Sequence, residues 1–386
     1  MKLERAVALA QKEWREIVRD RIFLSLAFLV PALFMVVFGY GISMDIENIP
    51  LIVVDHDGTA ASRAYADRFA HSEHFHFLGI VRDDSRADEL LSRAAAKIVI
   101  VIDQDFERNL TSGRDASVQS LVDGSFPATR VPRTLEAYID AIDAGATAEL
   151  QSTWLSRRAG VSPERALAIL HPVKLDVRYV YNSELRSIWS VAPSLIMFVL
   201  VFVAPMLMAL GVVREKETGS IYNMYASTVT RGEFLIGKLA PNVLIGVVNG
   251  ALLWLLSAVY FGAPFKGSFA CFAVGTLLYL VCTTSLGLLL SLLVRTQQTA
   301  LMITSIGATL IGFQYSGFFN PVQSLSGVAW VLAHAFPPMY YLDVVEGTFL
   351  KGMGFAGLWR DQTILAAFGA SYIGLSYGLF RKRSAT

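Results

Sequence analysis

Charge is scarce in this sequence. Of its 386 residues 17% are Asp, Glu, Lys or Arg and 54% are hydrophobic, whereas an average soluble protein carries about 25% charged residues; the balance disfavours an ordinary soluble fold. A surplus of either sign is also missing. The formal net charge is +1, and the basic residues sit beside apolar runs instead of forming a patch of their own, so nucleic acid is a poor partner. Cysteine is nearly absent: Cys271 and Cys282 lie in one apolar segment, where neither a disulfide framework nor a thiolate metal site makes sense. HExxH does not occur, and the one GxSxG match, Gly374 to Gly378, lies inside an apolar run instead of at a strand-to-helix elbow, which leaves no support for hydrolase or protease chemistry.

What is present in quantity is uncharged apolar sequence. A membrane crossing needs about 20 apolar residues, and such runs occupy Ile22 to Met44, Ile188 to Val213, Leu239 to Phe265 and Gly267 to Val294. From Thr296 to Leu342 no charged residue appears. That is too long for one crossing, and Asn320-Pro321 divides it into a span, Thr299 to Phe319, and a second piece, Leu325 to Tyr341, closed by Pro337-Pro338. Thr363 to Phe380 is the last run.

Basic residues then assign sides, because Arg and Lys collect in short cytoplasmic loops. They cluster at Lys12 to Arg21, Arg214 with Lys216, Arg231 with Lys238, Arg295, and Arg381 to Arg383. Six crossings put every cluster in the cytoplasm, while a seventh would send the last one outside. The expected fold is therefore a mainly α membrane protein of six transmembrane helices, with both termini cytoplasmic and residues 325–341 as a re-entrant or interfacial helix.

Residues 1–21 precede the first span (22–44) with Leu3, Val7, Ala10, Trp14 and Ile17 at helical spacing and charges on the other faces. They predict an amphipathic helix lying on the cytoplasmic leaflet of the bilayer. Residues 45–186 carry most of the acids and form an extracytoplasmic α/β (α+β) domain between the first two spans. Its expected strands are Ile49 to Val54, Phe75 to Val81, Ile98 to Ile102 and Val118 to Val122, with helices after Asp57-Gly58, over Ser85 to Ala96 and from Pro132 onward. Residues 187–386 hold the remaining spans.

Three local motifs invite chemistry and are outweighed. Gly232 to Leu239 nearly spells a phosphate-binding loop, but Leu239 stands where the metal-binding hydroxyl belongs and the segment enters a span. His71, His74 and His76 cluster, yet Phe75 and Phe77 alternate with them as on a half-buried strand. Asp55-His56-Asp57-Gly58 starts like a calcium loop but lacks the later ligands; a turn capping the next helix explains it. Asp, Glu, Lys and Arg are absent from the spans, where polar residues are Asn242, Asn249, Gln297, Gln298, Gln314 and scattered Ser and Thr. Transport without a titratable relay draws its energy from elsewhere. Gly246-xxx-Gly250 and Gly374-xxx-Gly378 permit close helix packing. Finally, the loop 214–231 mixes Arg214, Glu215, Lys216 and Glu217 with Ile221, Tyr222, Met224 and Tyr225, a short amphipathic segment fit to dock a cytoplasmic partner.

The chain resembles the membrane subunit of bacterial ABC-2 type exporters, over nearly its whole length. In the external domain the likeness lies in Val53-Val54-Asp55-His56-Asp57 with Ser62-Arg63, Ile100-Val101-Ile102 with Asp105-Phe106, and Val122-Asp123-Gly124-Ser125. Later come Tyr181-Asn182, Glu184-Leu185-Arg186, Pro193, Arg214-Glu215-Lys216-Glu217, Gly219, Gly237-Lys238, Leu286-Gly287-Leu288, Ser291, Gln297-Gln298, Ser316-Gly317-Phe318, Pro321, Pro337 and Tyr340 to Asp343. It departs from the family pattern at Ser183, Ser194 and Gly219-Ser220-Ile221-Tyr222. The resemblance implies an inner-membrane permease that binds no cofactor itself, ATP and magnesium residing on two cytoplasmic ABC ATPase subunits. It further implies a second permease, identical or sibling, and a periplasmic adaptor as an occasional partner. ATPase motion would enter through Arg214, Glu215, Lys216, Glu217, Gly219, Ile221, Tyr222, Met224, Tyr225 and Trp14. The substrate path would involve Ser194, Asn242, Asn249, Gln314, Tyr315 and Ser316, and the expected cargo is lipophilic or amphipathic, as in multidrug export. The competing reading is a membrane-anchored sensor or assembly protein whose external domain binds a ligand or partner; six spans are excessive for an anchor.

Overall fold

The computed structural model describes residues 2–42, 49–72, 75–92, 95–112, 114, 116–122, 139–145, 147–148, 151–153, 156, 160, 162, 186–222, 227–319 and 322–380. The chain forms two compact units, Met44–Arg178 and the remainder, Met1–Ser43 with Tyr179–Thr386.

In the smaller unit, strands β1 (Ile49–Asp55), β2 (Phe75–Val81), β3 (Ile98–Ile102) and β4 (Val118–Val122) form one sheet in the order β2-β1-β3-β4. β1 runs parallel to β2 and β3, and β4 is antiparallel to β3. The central strands are apolar on both faces. Leu51, Val53, Ile98 and Ile100 pack with Tyr65, Phe69 and Phe106 on one side, and Ile52, Val54 and Val99 with Ala96 on the other, as a sheet covered by helices requires. Edge strand β2 alternates, and Gly79, at φ 130°, sits where its register with β1 shifts. The covering helices include Ala60–Ala70, Asp84–Ser92 and a short one, Phe106–Ser112, that composition did not announce. Of the helices expected from Pro132 onward, 139–145 are helical, and 123–138 and 163–185 lie outside the described residues.

In the larger unit, α1 spans Leu3–Arg19 and α2 Arg21–Gly41. Extended Asp20 separates them, and its carboxylate accepts hydrogen bonds from the Ile22 and Phe23 amides, capping α2. Then follow α3 (Ser187–Glu217), α4 (Arg231–Tyr260), α5 (Phe269–Leu293), α6 (Gln297–Gln314), α7 (Val328–Ala335), α8 (Pro338–Phe349) and α9 (Phe355–Leu379). Four of these, α2, α3, α4 and α5, are long and apolar enough to cross a membrane. α6 and α9 are long but less apolar, α6 because of its glutamines and threonines and α9 because glycines, serines and tyrosines interrupt its apolar residues after Arg360 and Asp361.

Helix α3 is buried almost all round and forms the centre of the unit. It crosses α5 so closely that a Cβ on Gly287 would stand 2.5 Å from the Pro205 Cα. Gly246 and Gly250 of α4 likewise seat Leu280 and Thr276 of α5. Gly374 and Gly378, with the same spacing, meet nothing within 4 Å among the described residues.

The long helices alternate in direction. At one end, beside α1, lie the C-termini of α3 and α5, the N-termini of α4 and α6, and Phe380, which stacks on Phe234 at 4.6 Å. At the other end Tyr40 of α2 meets Tyr260 and Phe261, and Gln362 of α9 donates to the Cys271 carbonyl of α5. The piece expected as one helix over 325–341 is two. α7 ends at Ala335, and Pro337-Pro338 open α8 instead of closing a helix, since proline needs no amide partner in a first turn. α8 packs among α3, α5 and α9, with Tyr341 stacked on Tyr279 at 4.1 Å and its C-terminus bonded to the 262–268 loop.

Candidate functional site

The most charged part of the larger unit is the end where α1 lies. Four consecutive residues finish α3, and each reaches a different element. Arg214 pairs with Asp20 at the α1–α2 corner at 2.5 Å. Glu215 receives Lys238 of α4 at 2.9 Å and Lys12 of α1 at 3.3 Å. The Lys216 ammonium donates to the Ser291, Leu292 and Val294 carbonyls, where α5 ends and its dipole is negative. Glu217 accepts from the Gln297 backbone amide at 2.8 Å and from its side chain, at the positive start of α6.

At the centre stands Lys238. Its side chain is 1% exposed, and its ammonium lies 2.5 Å from Glu13 Oε2 and 2.9 Å from Glu215 Oε2. An unpaired ammonium at that depth would be prohibitively costly, which is why two carboxylates accompany it. Burial pushes the Glu13 carboxyl above its usual range, with Lys238 opposing. Burial works against the charge of Lys12, but Glu215 and Glu16 outweigh it and raise its pKa. The Arg214 guanidinium, with the two α2 amides, holds Asp20 below the usual carboxylate range. Glu13, Glu16 and Glu215 bring oxygens within 4.8 Å of one another, but the two lysine ammonium groups already occupy the space a cation would take.

Glu13 reaches this place because α1 has two stripes. Ala6, Leu9, Glu13 and Ile17 are buried, with Leu9 against Gly237 of α4, where a Cβ would meet it at 2.6 Å. Leu3, Val7, Trp14 and Val18 are exposed. Ile17, expected with Leu3, Val7 and Trp14, belongs to the packed stripe, and Glu13, expected on the polar face, is buried within it. At the start of α1 the Lys2 amide donates to Glu233 at 2.6 Å, and Arg5 to the Thr228 carbonyl at 2.9 Å.

The expected coupling residues therefore divide. Arg214, Glu215, Lys216 and Glu217 turn their charges onto the chain's own helices. Gly219, at φ 74°, makes the turn that follows, Ile221 is buried, and Tyr222 is 65% exposed. Met224 and Tyr225 lie outside the described residues. Trp14 stands on the exposed stripe of α1. Glu13 and Lys238, the buried centre of this cluster, were not among the expected residues. The signal lay in two lone charges within otherwise apolar stripes, and Gly232 to Lys238, which nearly spells a phosphate loop, is wholly helical.

The expected path residues fall in two groups. Asn242 and Asn249 occupy the face of α4 that packs on α5 and α3; the Asn242 amide donates to the Lys238 carbonyl, and both Oδ1 atoms have no partner among the described residues. Ser194 of α3 and Ser316 beyond α6 are buried and bonded to their own helices, at Ser190 and Gly312. Gln314 is exposed and Tyr315 half-buried. An apolar groove between α2 and α3, lined by Val30, Phe34, Phe198 and Phe202, contains none of them. In the smaller unit, Asp55 accepts from the Asp57 and Gly58 amides and the Ser62 hydroxyl, forming a turn where one was expected, and the cap of the next helix is Thr59, whose hydroxyl accepts from the Ser62 amide. His71 bonds the Asp67 carbonyl and His76 is exposed; His74 lies outside the described residues.

Residues 21–377 match the family described as ABC-2 family transporter protein. The chain belongs to the ABC-2 transporter family. Relatives span it from end to end. The probable multidrug ABC transporter permease YbhS of Escherichia coli is 26% identical over 98% of this chain and 97% of its own. The probable multidrug ABC transporter permease YbhR is 22% identical over 97% and 98%, and the inner membrane transport permease YhhJ 24% identical over 97% and 96%. With four helices long enough to cross a bilayer, this ABC-2 chain is a multi-pass membrane permease subunit.

Proposed function

We propose that the chain is the membrane half of an ATP-driven exporter of the inner membrane, carrying a lipophilic or amphipathic substrate outward. It works with a second permease, identical or sibling, and with cytoplasmic ATPase subunits that bind the nucleotide; a periplasmic adaptor is a further expected partner. The α1 end then faces the cytoplasm, six helices cross, and residues 322–350 enter and leave from the far side. One observation carries this reading. The turn after α3, with Tyr222 exposed, hangs from four charged residues tied to α1, α4, α5 and α6, so a push on one short turn is delivered to these four helices together.

The test is co-purification with the ATPase. Removing residues 219–226 spares the four-charge linkage and is expected to abolish the complex and the permease's stimulation of ATP hydrolysis. Retention of both would overturn the reading in favour of an anchored sensor or assembly protein. In the same membranes, cysteines at Lys351 and Arg383 are expected to label from opposite sides; labelling from one side would sink the six-crossing layout.

A further inference from the structure

Lys238, Glu13 and Glu215 belong to three elements distant in sequence, yet they share one ammonium, with side chains only 1%, 6% and 10% exposed. Around them Leu9 fills the notch over Gly237, and the Asn242 amide is bonded to the Lys238 carbonyl. Apolar helix faces slide past one another at little cost, because one dispersion contact replaces another. An ammonium held between two carboxylates in a low-dielectric space does not slide, since any displacement leaves a buried charge uncompensated. We infer that the buried Glu13–Lys238–Glu215 triad makes α1, the end of α3 and the start of α4 move as one rigid lever, and that these three are positioning residues through which a push on the 219–222 turn reaches the far ends of the spans.

The inference rests on the exporter reading, and its experiment separates the two. A cysteine replacing Tyr260, at the opposite end of α4 and 55% exposed, reports far-end movement through its rate of labelling by a membrane-impermeant maleimide. Native Cys271 and Cys282 are buried. In proteoliposomes containing permease and ATPase, labelling is expected to differ at least about fivefold between the nucleotide-free state and the state trapped with ATP and vanadate. If the parent shows no difference, the exporter reading itself fails. The neutral double variant Glu13→Gln, Lys238→Met removes the buried pair without changing the net charge and leaves Glu215 paired with Lys12. Its ATP hydrolysis is expected to stay within about twofold of the parent while the labelling difference disappears. A preserved difference would show that the triad only fills space, and would overturn the inference.

A second variant does not depend on that one folding. Leu9→Cys with Gly237→Cys places two thiols across the α1–α4 contact. If the elements move as one, oxidising this pair leaves the nucleotide-dependent labelling unchanged. A response lost on oxidation and restored by reductant would mean that α1 slides on α4, and the lever would be refuted.

Discussion

At the residue scale, three carboxylates, Glu13, Glu16 and Glu215, surround two ammonium groups, Lys12 and Lys238. The surplus is negative, so the two sides of the pairing are not equivalent. Lys238→Met leaves two buried carboxylates without their main counter-charge and is expected to cost about 3–5 kcal/mol. Glu13→Gln keeps an acceptor for Lys238 and removes the surplus; its cost is expected to be about 1 kcal/mol or less. Denaturation of the two variants in the same detergent checks this, and equal losses would contradict it. The pH dependence has a definite sign. Glu13's folded-state pKa lies above its ordinary value of 4.5, so its contribution is full below that value and is lost as pH rises through the raised one. The stability of Glu13→Gln relative to the parent is therefore expected to improve as pH is raised from about 4.5 to about 7. Asp20 is opposite: its pKa is lowered from 3.8, and its contribution, present above 3.8, is lost as pH falls through the lowered value. Asp20→Asn is expected to lose its disadvantage in acid, read as melting temperatures that converge with the parent's.

At the scale of elements, the glycines separate packing from appearance. Gly287 lets α5 touch the backbone of α3 at Pro205, whereas Gly374 meets nothing within 4 Å among the described residues. Gly287→Val is expected to destabilise by about 1–3 kcal/mol or more, because the obstacle is backbone and cannot rotate away; Gly374→Val is expected to stay within about 0.5 kcal/mol. Comparable melting temperatures for the two would refute the distinction. Both glycines lie in apolar helices, so nothing local tells them apart. The same limit explains 325–341. The helix-breaking chemistry of Pro337-Pro338 was legible, but a proline pair ends one helix or opens another, and only the packing of Tyr341 on Tyr279 shows that it opens α8. The strands of the smaller unit were legible almost to the residue, because apolar runs bounded by Gly, Asp and His leave few alternatives.

At the scale of the whole molecule, composition and the placement of charge determined that this is a membrane chain with one separate α/β unit, and that the turn after α3 is where charge gathers. Those properties are additive along the chain: a run without charges remains apolar whatever it packs against. Tertiary structure alone decided what the charges do. Read locally, Arg214, Glu215, Lys216 and Glu217 form a solvated surface ready for a partner; folded, they reach α1, α4, α5 and α6. Glu13, which looks like one acid among several on a polar face, is buried because Lys238, 225 positions away, comes to meet it. The energy of a buried charge depends on which opposite charge reaches it, and that is a property of the fold, carried by no window of sequence.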